Sequence, residues 1–381
     1  MRKIAIIGAN SFQNPLILKA KEMGYETHVF AWRDGSIGER TADYFYPISI
    51  IEKDLILEKC REIRPDAIVT SASDLANITV QYVAVRLGLP CNSEESILIS
   101  TNKYAMRQAL IEYGVAVPRF VKVAIEDDYA AAVRELSYPM IVKPTDRSGS
   151  RGITKVNQLE EIPQAVKAAA AESFEKCAII EEYINGEEYS CEGISYQGAH
   201  HLLAITKKYT TGYPHFIETA HLEPAPISET IRNKIQVEIP KALDALKIES
   251  GASHSEFKIT ADGEIRIIEI GSRMGGDCIG SHLVELSTGY DFTKMVIETA
   301  CGDKPSIKTN QKPRCAGIRF IFSKKDLEIY EDVKEKHPEL LQYVSEIEKV
   351  GEHEVVDSST RFGYFIIASE SEKIVKELLE R

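Results

Sequence analysis

Two glutamates, Glu256 and Glu269, flank an Asp262-Gly263 pair within a stretch of residues that favour β-strands. An Asp-Gly pair between two such runs predicts a hairpin with a two-residue type I′ turn. In that register Glu256 lies directly opposite Glu269, with Cβ atoms roughly 4.5–5.5 Å apart on one face of the sheet. Like charges there are destabilising unless a cation compensates, and carboxylate oxygens on a rigid hairpin suit Mg²⁺. The alternative is that both carboxylates point into water.

The segment that follows the second glutamate favours metal binding over two solvated side chains. Residues 271–277 are Gly-Ser-Arg-Met-Gly-Gly-Asp, so Arg273 and flexible backbone lie beside the carboxylate pair. A cation and several glycines next to paired carboxylates are typical of a site rather than of a plain surface hairpin.

Two lysines occupy positions where an anion could meet them. Lys103 lies in the first turn of a predicted helix, where the macrodipole disfavours a cation, so it either points to solvent or meets an anion. Lys143 ends a buried-looking strand and precedes a loop, residues 147–152, with two arginines and two glycines. Backbone N–H groups of such a loop can close over a phosphate while the lysine adds a point charge, although a flexible surface loop would look similar. The residue order is not that of a P-loop.

Other polar segments leave their alternatives open. Residues 181–188 contain an Asn-Gly pair that is typical of a hairpin. Residues 207–226 are long and polar enough for a functional loop. His221 in this segment and His254 beyond it would, alone, more often be packing or hydrogen-bonding residues than catalysts. Residues 10–11 and 71–74 follow predicted strands, where ligands often bind in open α/β sheets, with plain loop polarity as the alternative.

The elements that must position these residues alternate over the first hundred residues. Strands are predicted at Lys3–Ile7, Glu26–Trp32 and Ala67–Thr70, with helices at Pro15–Met23, Lys53–Ile63 and Ile78–Leu87. This βαβ order implies a parallel sheet with right-handed crossovers. No G-x-G-x-x-G fingerprint follows the first strand, so no dinucleotide site is predicted. The remainder mixes strands and helices, which predicts an α/β and α+β multidomain protein.

Composition restricts the classes of protein. The chain has 381 residues, 44% hydrophobic and 27% charged, as expected for a soluble globular protein of roughly two to four domains. The net charge of −12 argues against general nucleic-acid binding, and no apolar run approaches the ~18 residues that a membrane span needs. The seven cysteines are scattered without a C-x-x-C pair and the start does not read as a signal peptide, so reduced thiols and a cytoplasmic location are expected.

The candidate features follow one another in a definite order: a lysine that opens a helix, a lysine before a glycine-rich loop, the acidic 181–188 segment, the paired glutamates and an arginine. This order resembles the ATP-grasp superfamily of carboxylate–amine ligases, and the segment 269–277 is most similar to its L-amino-acid ligase and carbamoyl-phosphate-synthase-like branch. The resemblance implies an ATP-grasp fold with an N-terminal parallel-sheet domain and a small C-terminal α+β lid. The implied boundaries are 1–100, 101–312 (with 118–185 as the small nucleotide-covering subdomain) and 313–381.

The resemblance also implies roles for individual residues. ATP would be bound by Lys103, Lys143, Ser148, Gly149, Ser150, Gly152, Glu181, Glu182, Tyr183, Ile184 and Glu188. Mg²⁺, or Mn²⁺ in its place, would be bound by Glu256 and Glu269, while Lys143 and Arg273 would be catalytic. The substrate contacts are a separate hypothesis. Asp277 or Glu285 could bind an amino group, Arg273, Lys207 or His221 could hold a carboxylate, and Gly276 is placed with them. Many members of the superfamily carry Asn two residues after the second metal-binding Glu, whereas this chain has Gly271.

The activity implied is that of an ATP-dependent, ADP-forming ligase. It would activate a small carboxylate, expected to be an amino acid, as an acyl phosphate and join it to an amine, with loops 147–152 and 207–226 as lids. Its partners would be these small molecules, not nucleic acid or membrane, and a homodimer is left open. The alternatives are a carboxyphosphate- or bicarbonate-using enzyme of purine-pathway type, or a nucleotide-binding protein with a degenerate site.

Overall fold

The structure is a computed structural model that describes residues 1–147, 149, 151–213 and 216–381. Its strands form a parallel N-terminal sheet, a small antiparallel sheet and a large antiparallel sheet. Within these described residues, no helix combines the length and the apolar character needed to cross a membrane.

The first sheet is parallel, as the βαβ order predicts, and its strands are arranged β3-β2-β1-β4. The strands are β1 (Lys3–Ile7), β2 (Glu26–Phe30), β3 (Tyr44–Tyr46) and β4 (Ala67–Val69). The helices of this segment are α1 (Asn14–Glu22), α2 (Ile37–Thr41), α3 (Lys53–Ile63), α4 (Asp74–Leu87), α5 (Glu94–Thr101) and α6 (Lys103–Glu112). β1 buries both faces: Ile4 and Ile6 belong to one core cluster, and Ala5 and Ile7 to another, which explains its continuous apolar sequence.

Caps set the starts of the helices that approach the cleft. Helix α4 begins at Asp74, earlier than the predicted Ile78, because the Ser73 side chain accepts a hydrogen bond from the third residue of the helix. Asn102 caps α6 in the same way, which places Lys103 at the first position of that helix.

The second sheet is small and antiparallel, with the strand order β5-β8-β6-β7. Its elements are β5 (Phe120–Val123), α7 (Tyr129–Ala132), β6 (Met140–Pro144), β7 (Thr154–Val156), α8 (Ile162–Glu172) and β8 (Ala178–Glu182). Helix α8 packs on one face of the sheet, where Ile162 and Val166 join Met140 and Val142 in a single core cluster. Strand β6 therefore delivers Lys143 from a rigid, covered support.

The third sheet is antiparallel and is arranged β13-β12-β9-β10-β11-β14-β16-β15. Its strands are β9 (Glu187–Tyr196), β10 (Ala199–Thr210), β11 (Glu218–Glu223), β12 (Gly251–Ile259), β13 (Ile265–Gly271), β14 (Cys315–Phe320), β15 (Leu341–Val344) and β16 (Tyr364–Ser369). The accompanying helices are α9 (Glu229–Ala245), α10 (Val284–Thr288), α11 (Phe292–Ala300), α12 (Lys324–Lys336) and α13 (Glu372–Glu380). Strands from residues 313–381 thus extend the same sheet that carries the glutamate hairpin, while the domain boundaries remain a prediction.

The glutamate hairpin has the predicted pairing but not the predicted turn. Glu256 lies opposite Glu269. The connection, however, contains three residues, 261–263, because the Thr260 backbone N–H donates to the carbonyl of Glu264 at 3.0 Å. Gly263 has φ 77°, as expected where a type I turn is followed by a left-handed residue.

Two departures from an ideal hairpin cancel each other. The extra turn residue shifts the pairing by one, so that Lys258 faces Arg266 rather than Ile267. A bulge between Glu256 and Phe257 in the pairing then restores the register at the glutamates, leaving Ile268 as the unpaired residue.

The prediction that residues 207–226 form one long loop is wrong. Its first residues continue β10 and its later residues, from Glu218, form β11, which pairs antiparallel with β10. The connection between these strands is only residues 211–217, and Pro214 and His215 lie outside the described residues. Sequence polarity suggested a loop because both strands carry charged side chains, some of which, such as Lys208 and Glu218, line the cleft.

Candidate active site

A cleft with a cavity volume of about 470 Å³ lies where the second and third sheets meet the carboxyl ends of the first sheet. It gathers most of the predicted site residues, namely Lys103, Lys143, Gly149, Glu181, Glu182, Tyr183, Ile184, Glu188, His221, Glu256, Glu269, Arg273, Gly276 and Asp277. Gly152 lies outside this lining and packs close to Pro144 and Ala169. Ser148 and Ser150 lie outside the described residues.

The lysine at the start of α6 meets an anion rather than solvent. Lys103 Nζ lies 2.8 Å from Glu269 Oε1 and donates to the backbone carbonyl of Arg147 at 2.6 Å. Its side chain is only 4% exposed. The unfavourable position of a cation in the first helical turn is thereby offset by a carboxylate and a carbonyl.

A second lysine, which the sequence reading missed, neutralises the other glutamate. Lys208 Nζ pairs with Glu256 and lies 3.2 Å from Glu188 and 3.5 Å from Glu218. Burial opposes its charge, but these three carboxylates raise the pKa of Lys208 well above its usual value. Alternation along β10 explains the error, because the predicted Lys207 faces the other way and pairs with Glu187 at 2.7 Å, outside the cleft.

The residues present fit a divalent cation that is shared with phosphates. Glu256 and Glu269 are opposed across the hairpin, and both face the cleft. Burial would raise the pKa of Glu256, but Lys208 and His254 hold it well below its usual range, so the carboxylate is ionised. Within the described chain, no three acidic, histidine or cysteine side chains surround one point. Two carboxylates completed by phosphate and water oxygens are a typical arrangement for Mg²⁺.

The opposite end of the cleft carries a buried chain of charges. Glu181 lies between Arg107 Nε and Lys143 Nζ, each 2.6 Å from one of its oxygens. Burial would raise the pKa of Glu181, but the two cations lower it to about 2. Burial lowers the pKa of Lys143, and Arg107 and Lys103 act in the same direction against the attraction of Glu181.

The segment after β8 is a linker between sheets and not a hairpin. β8 belongs to the second sheet and β9 to the third, so residues 183–186 join the two walls of the cleft. The backbone N–H of Tyr183 donates to the carbonyl of Pro139 at 3.0 Å, and the carbonyl of Ile184 accepts from Lys258 Nζ at 3.3 Å. Glu181 is already occupied by two cations, while Glu182, Tyr183, Ile184 and Glu188 also line the cleft along this segment.

Two bidentate ion pairs define the end of the cleft beyond the glutamates. Arg273 donates to both oxygens of Asp74, each at 2.9 Å. Arg361 donates to both oxygens of Asp277, at 2.7 and 2.9 Å, and His221 Nε2 lies 3.5 Å from the same carboxylate. Burial would raise the pKa of Asp277, but Arg361 and His221 hold it well below its usual range. Asp277 therefore already has cationic partners.

A family profile for the ATP-grasp domain matches residues 136–281, which include the glycine-rich loop, both glutamates and Arg273. The chain contains an ATP-grasp domain. The matched region contains strands β6 to β8 of the second sheet and β9 to β13 of the third sheet, so most of both walls of the cleft lies within it. Strand β5, Lys103 and Arg361 lie outside the matched region.

Curated relatives of the chain include proteins named as ligases. An alanine–anticapsin ligase of Bacillus amyloliquefaciens is 28% identical over 274 residues, which cover 65% of this chain and 57% of that protein. A D-alanine–D-alanine ligase of Flavobacterium johnsoniae is 31% identical over 202 residues, covering 50% of this chain and 60% of that protein. The chain thus spans less than two thirds of the length of either relative.

Solved structures show the same fold over the whole chain. An L-amino acid ligase from Bacillus licheniformis has a TM-score of 0.83 at 24% identity, covering 100% of this chain and 97% of that chain. A phosphoribosylglycinamide synthetase from Anaerococcus prevotii has a TM-score of 0.79 at 21% identity, with coverages of 100% and 97%. At these identities the likeness establishes the ATP-grasp fold.

The linker of the ATP-grasp domain gives a first test of how the two walls are held. A Cβ at Gly186 would lie 2.4 Å from the backbone carbonyl oxygen of Ile259, and backbone cannot move aside as a flexible side chain can. Gly186→Ala is expected to weaken nucleotide binding several-fold and to lower stability by about 1–3 kcal/mol, because overpacking displaces the linker. Titration with ATP and denaturant unfolding would measure both effects. Asn185→Ala, at the exposed neighbour, is the control and should change neither.

Proposed function

We propose that the chain is an ATP-dependent, ADP-forming ligase that activates a small carboxylate as an acyl phosphate and joins it to an amine. The observation that carries the proposal is the pairing of Glu256 with Glu269 in one cleft with Lys103 and Lys143. Phosphoryl transfer asks a protein mainly for positioning and neutralisation of charge, and this cleft supplies both without a protein nucleophile.

The nucleotide would lie between the second and third sheets. Backbone groups of residues 183–184 would hold the adenine, with Lys143 beside it, and Glu188 would face the ribose. Lys103 and the glycine-rich loop would contact the phosphates. Glu256 and Glu269 would hold Mg²⁺, which neutralises phosphate charge when bound.

Activation of the acid solves a leaving-group problem. A free carboxylate is a poor acyl donor because its leaving group would be oxide. Transfer of the γ-phosphoryl group to one carboxylate oxygen breaks the bond to ADP and gives an acyl phosphate. An amine then attacks the acyl carbon, phosphate leaves, and the amine loses a proton to give the amide. Arg273 would neutralise negative charge on the phosphate and on the tetrahedral species.

The charged side chains at the far end of the cleft support an amino acid as the acid substrate. Asp277 is already held by Arg361 through both of its oxygens, whereas Glu218 lies 3.5 Å from Lys208, which it shares with two other carboxylates, so Glu218 is the less tightly paired of these two side chains and would face an ammonium group. Glu218 and Arg273 both line the cavity, and they offer complementary charges to the two groups of an α-amino acid. Gly276, beside them, adds backbone without side-chain bulk.

A screen of products tests the proposal. The purified chain is incubated with ATP and Mg²⁺, single amino acids, pairs of amino acids and dipeptides, and phosphate, pyrophosphate, ADP and AMP are measured. Release of phosphate and ADP that requires both an acid and an amine is the expected result. Pyrophosphate and AMP would contradict the ADP-forming mechanism, and phosphate release that depends on bicarbonate would favour a carboxyphosphate user instead. Binding of ATP with no turnover in any arm would favour a nucleotide-binding protein.

A further inference from the structure

The geometry points to Asp74 as a positioning residue for Arg273, with Gly271 lacking a side chain so that their ion pair can form. This inference rests on the proposed function, in which Arg273 meets the negative charge of the activated acid.

The pair has the geometry of a fixed support. Arg273 Nε and Nη2 donate to the two oxygens of Asp74, each at 2.9 Å, and Nη1 donates to the carbonyl of Met274 at 3.3 Å. Both charged side chains are 14% exposed. A bidentate pair fixes the plane of the guanidinium as well as its place, which a single hydrogen bond does not do.

The partner comes from a different part of the chain and is held independently of the site. Asp74 is the first residue of α4, next to the capping Ser73, whereas Arg273 follows the last strand of the hairpin. Burial would raise the pKa of Asp74, but Arg273, with Lys103 and His254, lowers it below its usual value. The carboxylate is therefore ionised and stays available as a partner.

Residue 271 lies against both members of the ion pair. A Cβ at Gly271 would lie 2.8 Å from Asp74 Oδ1 and 3.2 Å from Arg273 Nε. Any side chain at this position, including the Asn that many members of the superfamily carry, would displace the pair. The carboxylate of Asp74 thus occupies space that a side chain at residue 271 would otherwise need.

Kinetics of one variant test the positioning role. Asp74→Asn is expected to lower kcat for acid-dependent phosphate release about ten- to hundredfold, because a misplacement near 1 Å costs that much. The KM for Mg-ATP should change less than about twofold, since Asp74 lies outside the proposed nucleotide contacts. Asp303→Asn removes an exposed Asp–Arg bridge to Arg2 and is the matched control, expected to match the wild type. Unchanged kcat, or tighter apparent binding of the acid with kcat undiminished, would overturn the inference; the latter would mean that Asp74 blocks the site.

A double-mutant cycle tests the steric link without needing turnover. Gly271→Ala and Gly271→Asn are expected to lower the midpoint of thermal unfolding in the wild-type background and to lower it much less in the Asp74→Ala background. Equal losses in both backgrounds would overturn the link between the two residues. The proposed function would fail on a different result, namely if the wild-type chain released no phosphate with any acid and amine. In that case the thermal cycle would still test the steric link between Asp74 and residue 271.

Discussion

Glu269→Gln is expected to lower the rate of ADP and phosphate formation by a factor on the order of a hundred to a thousand. The substitution keeps the shape of the side chain but removes one of the two charges that would hold Mg²⁺ across the hairpin. Groups that neutralise charge in phosphoryl and acyl transfer contribute effects of this size when they are removed one at a time. Glu256→Gln should behave alike, because the two carboxylates face one position from opposite strands.

The measurement is the rate of phosphate release as a function of Mg²⁺ concentration. A loss of metal affinity predicts that the variant needs more Mg²⁺ for half-maximal rate as well as having a lower maximum. Glu264→Gln is the matched control, since this residue lies at the turn of the same hairpin and pairs with the half-exposed Lys234. Full activity of Glu269→Gln at ordinary Mg²⁺ would contradict the assignment of the metal site.

The same substitution affects a second residue, so stability must be measured with it. Lys103 is almost fully buried and loses its ion pair with residue 269. Leaving a buried charge without a partner is destabilising, and the melting temperature should fall. Glu269→Asp keeps the charge on a shorter side chain. We expect its melting temperature to be close to that of the wild type, while its activity stays well below the wild-type value.

Local signals in the sequence were sufficient for most of the architecture. Strand β1 and helix α3 lie where the apolar pattern places them, because their burial is decided by residues close in sequence. The predicted pairing of Glu256 with Glu269 was correct although the predicted two-residue turn was wrong, because a three-residue turn and a bulge shift the register in opposite directions. Sequence alone shows neither irregularity, because each depends on how the strands fit the rest of the sheet.

The residues that the sequence did not reveal are those whose partners lie far along the chain. Arg107 meets a glutamate 74 positions away, and Asp74 meets an arginine 199 positions away. Lys208 was passed over for its neighbour because strand direction, not residue type, decides which of two adjacent lysines faces the cleft. Arg361 comes from the C-terminal segment, whose strands extend the third sheet beside the site. Such pairings follow from topology, so only the folded chain displays them.

Arg107→Met is expected to destabilise the fold by about 3–5 kcal/mol, the usual cost of removing one partner of a buried ion pair. Arg107 has a fully buried side chain, and it donates to Glu181 and to the backbone carbonyl of Ile268. The substitution leaves the carboxylate of Glu181 with Lys143 alone and leaves a buried carbonyl without its donor. Denaturant unfolding would measure the loss. Arg266→Met, which removes a long 3.8 Å contact to the half-exposed Glu264, should cost less than about 1 kcal/mol.

The pH dependence separates the charge effect from lost packing. In the wild type the pKa of Glu181 is about 2 and lies below its ordinary value of 4.5. A carboxyl group with a lowered folded pKa stabilises the native state fully above the ordinary pKa, and that contribution is lost as the pH falls toward the folded value. Without Arg107 the pKa of Glu181 should return toward its ordinary range, so the variant has less of this stabilising contribution to lose.

The difference in unfolding free energy between wild type and Arg107→Met should therefore be largest above pH 5 and should narrow as the pH falls from 4.5 toward 2. A difference that stays constant over that range would assign the loss of stability to packing rather than to charge.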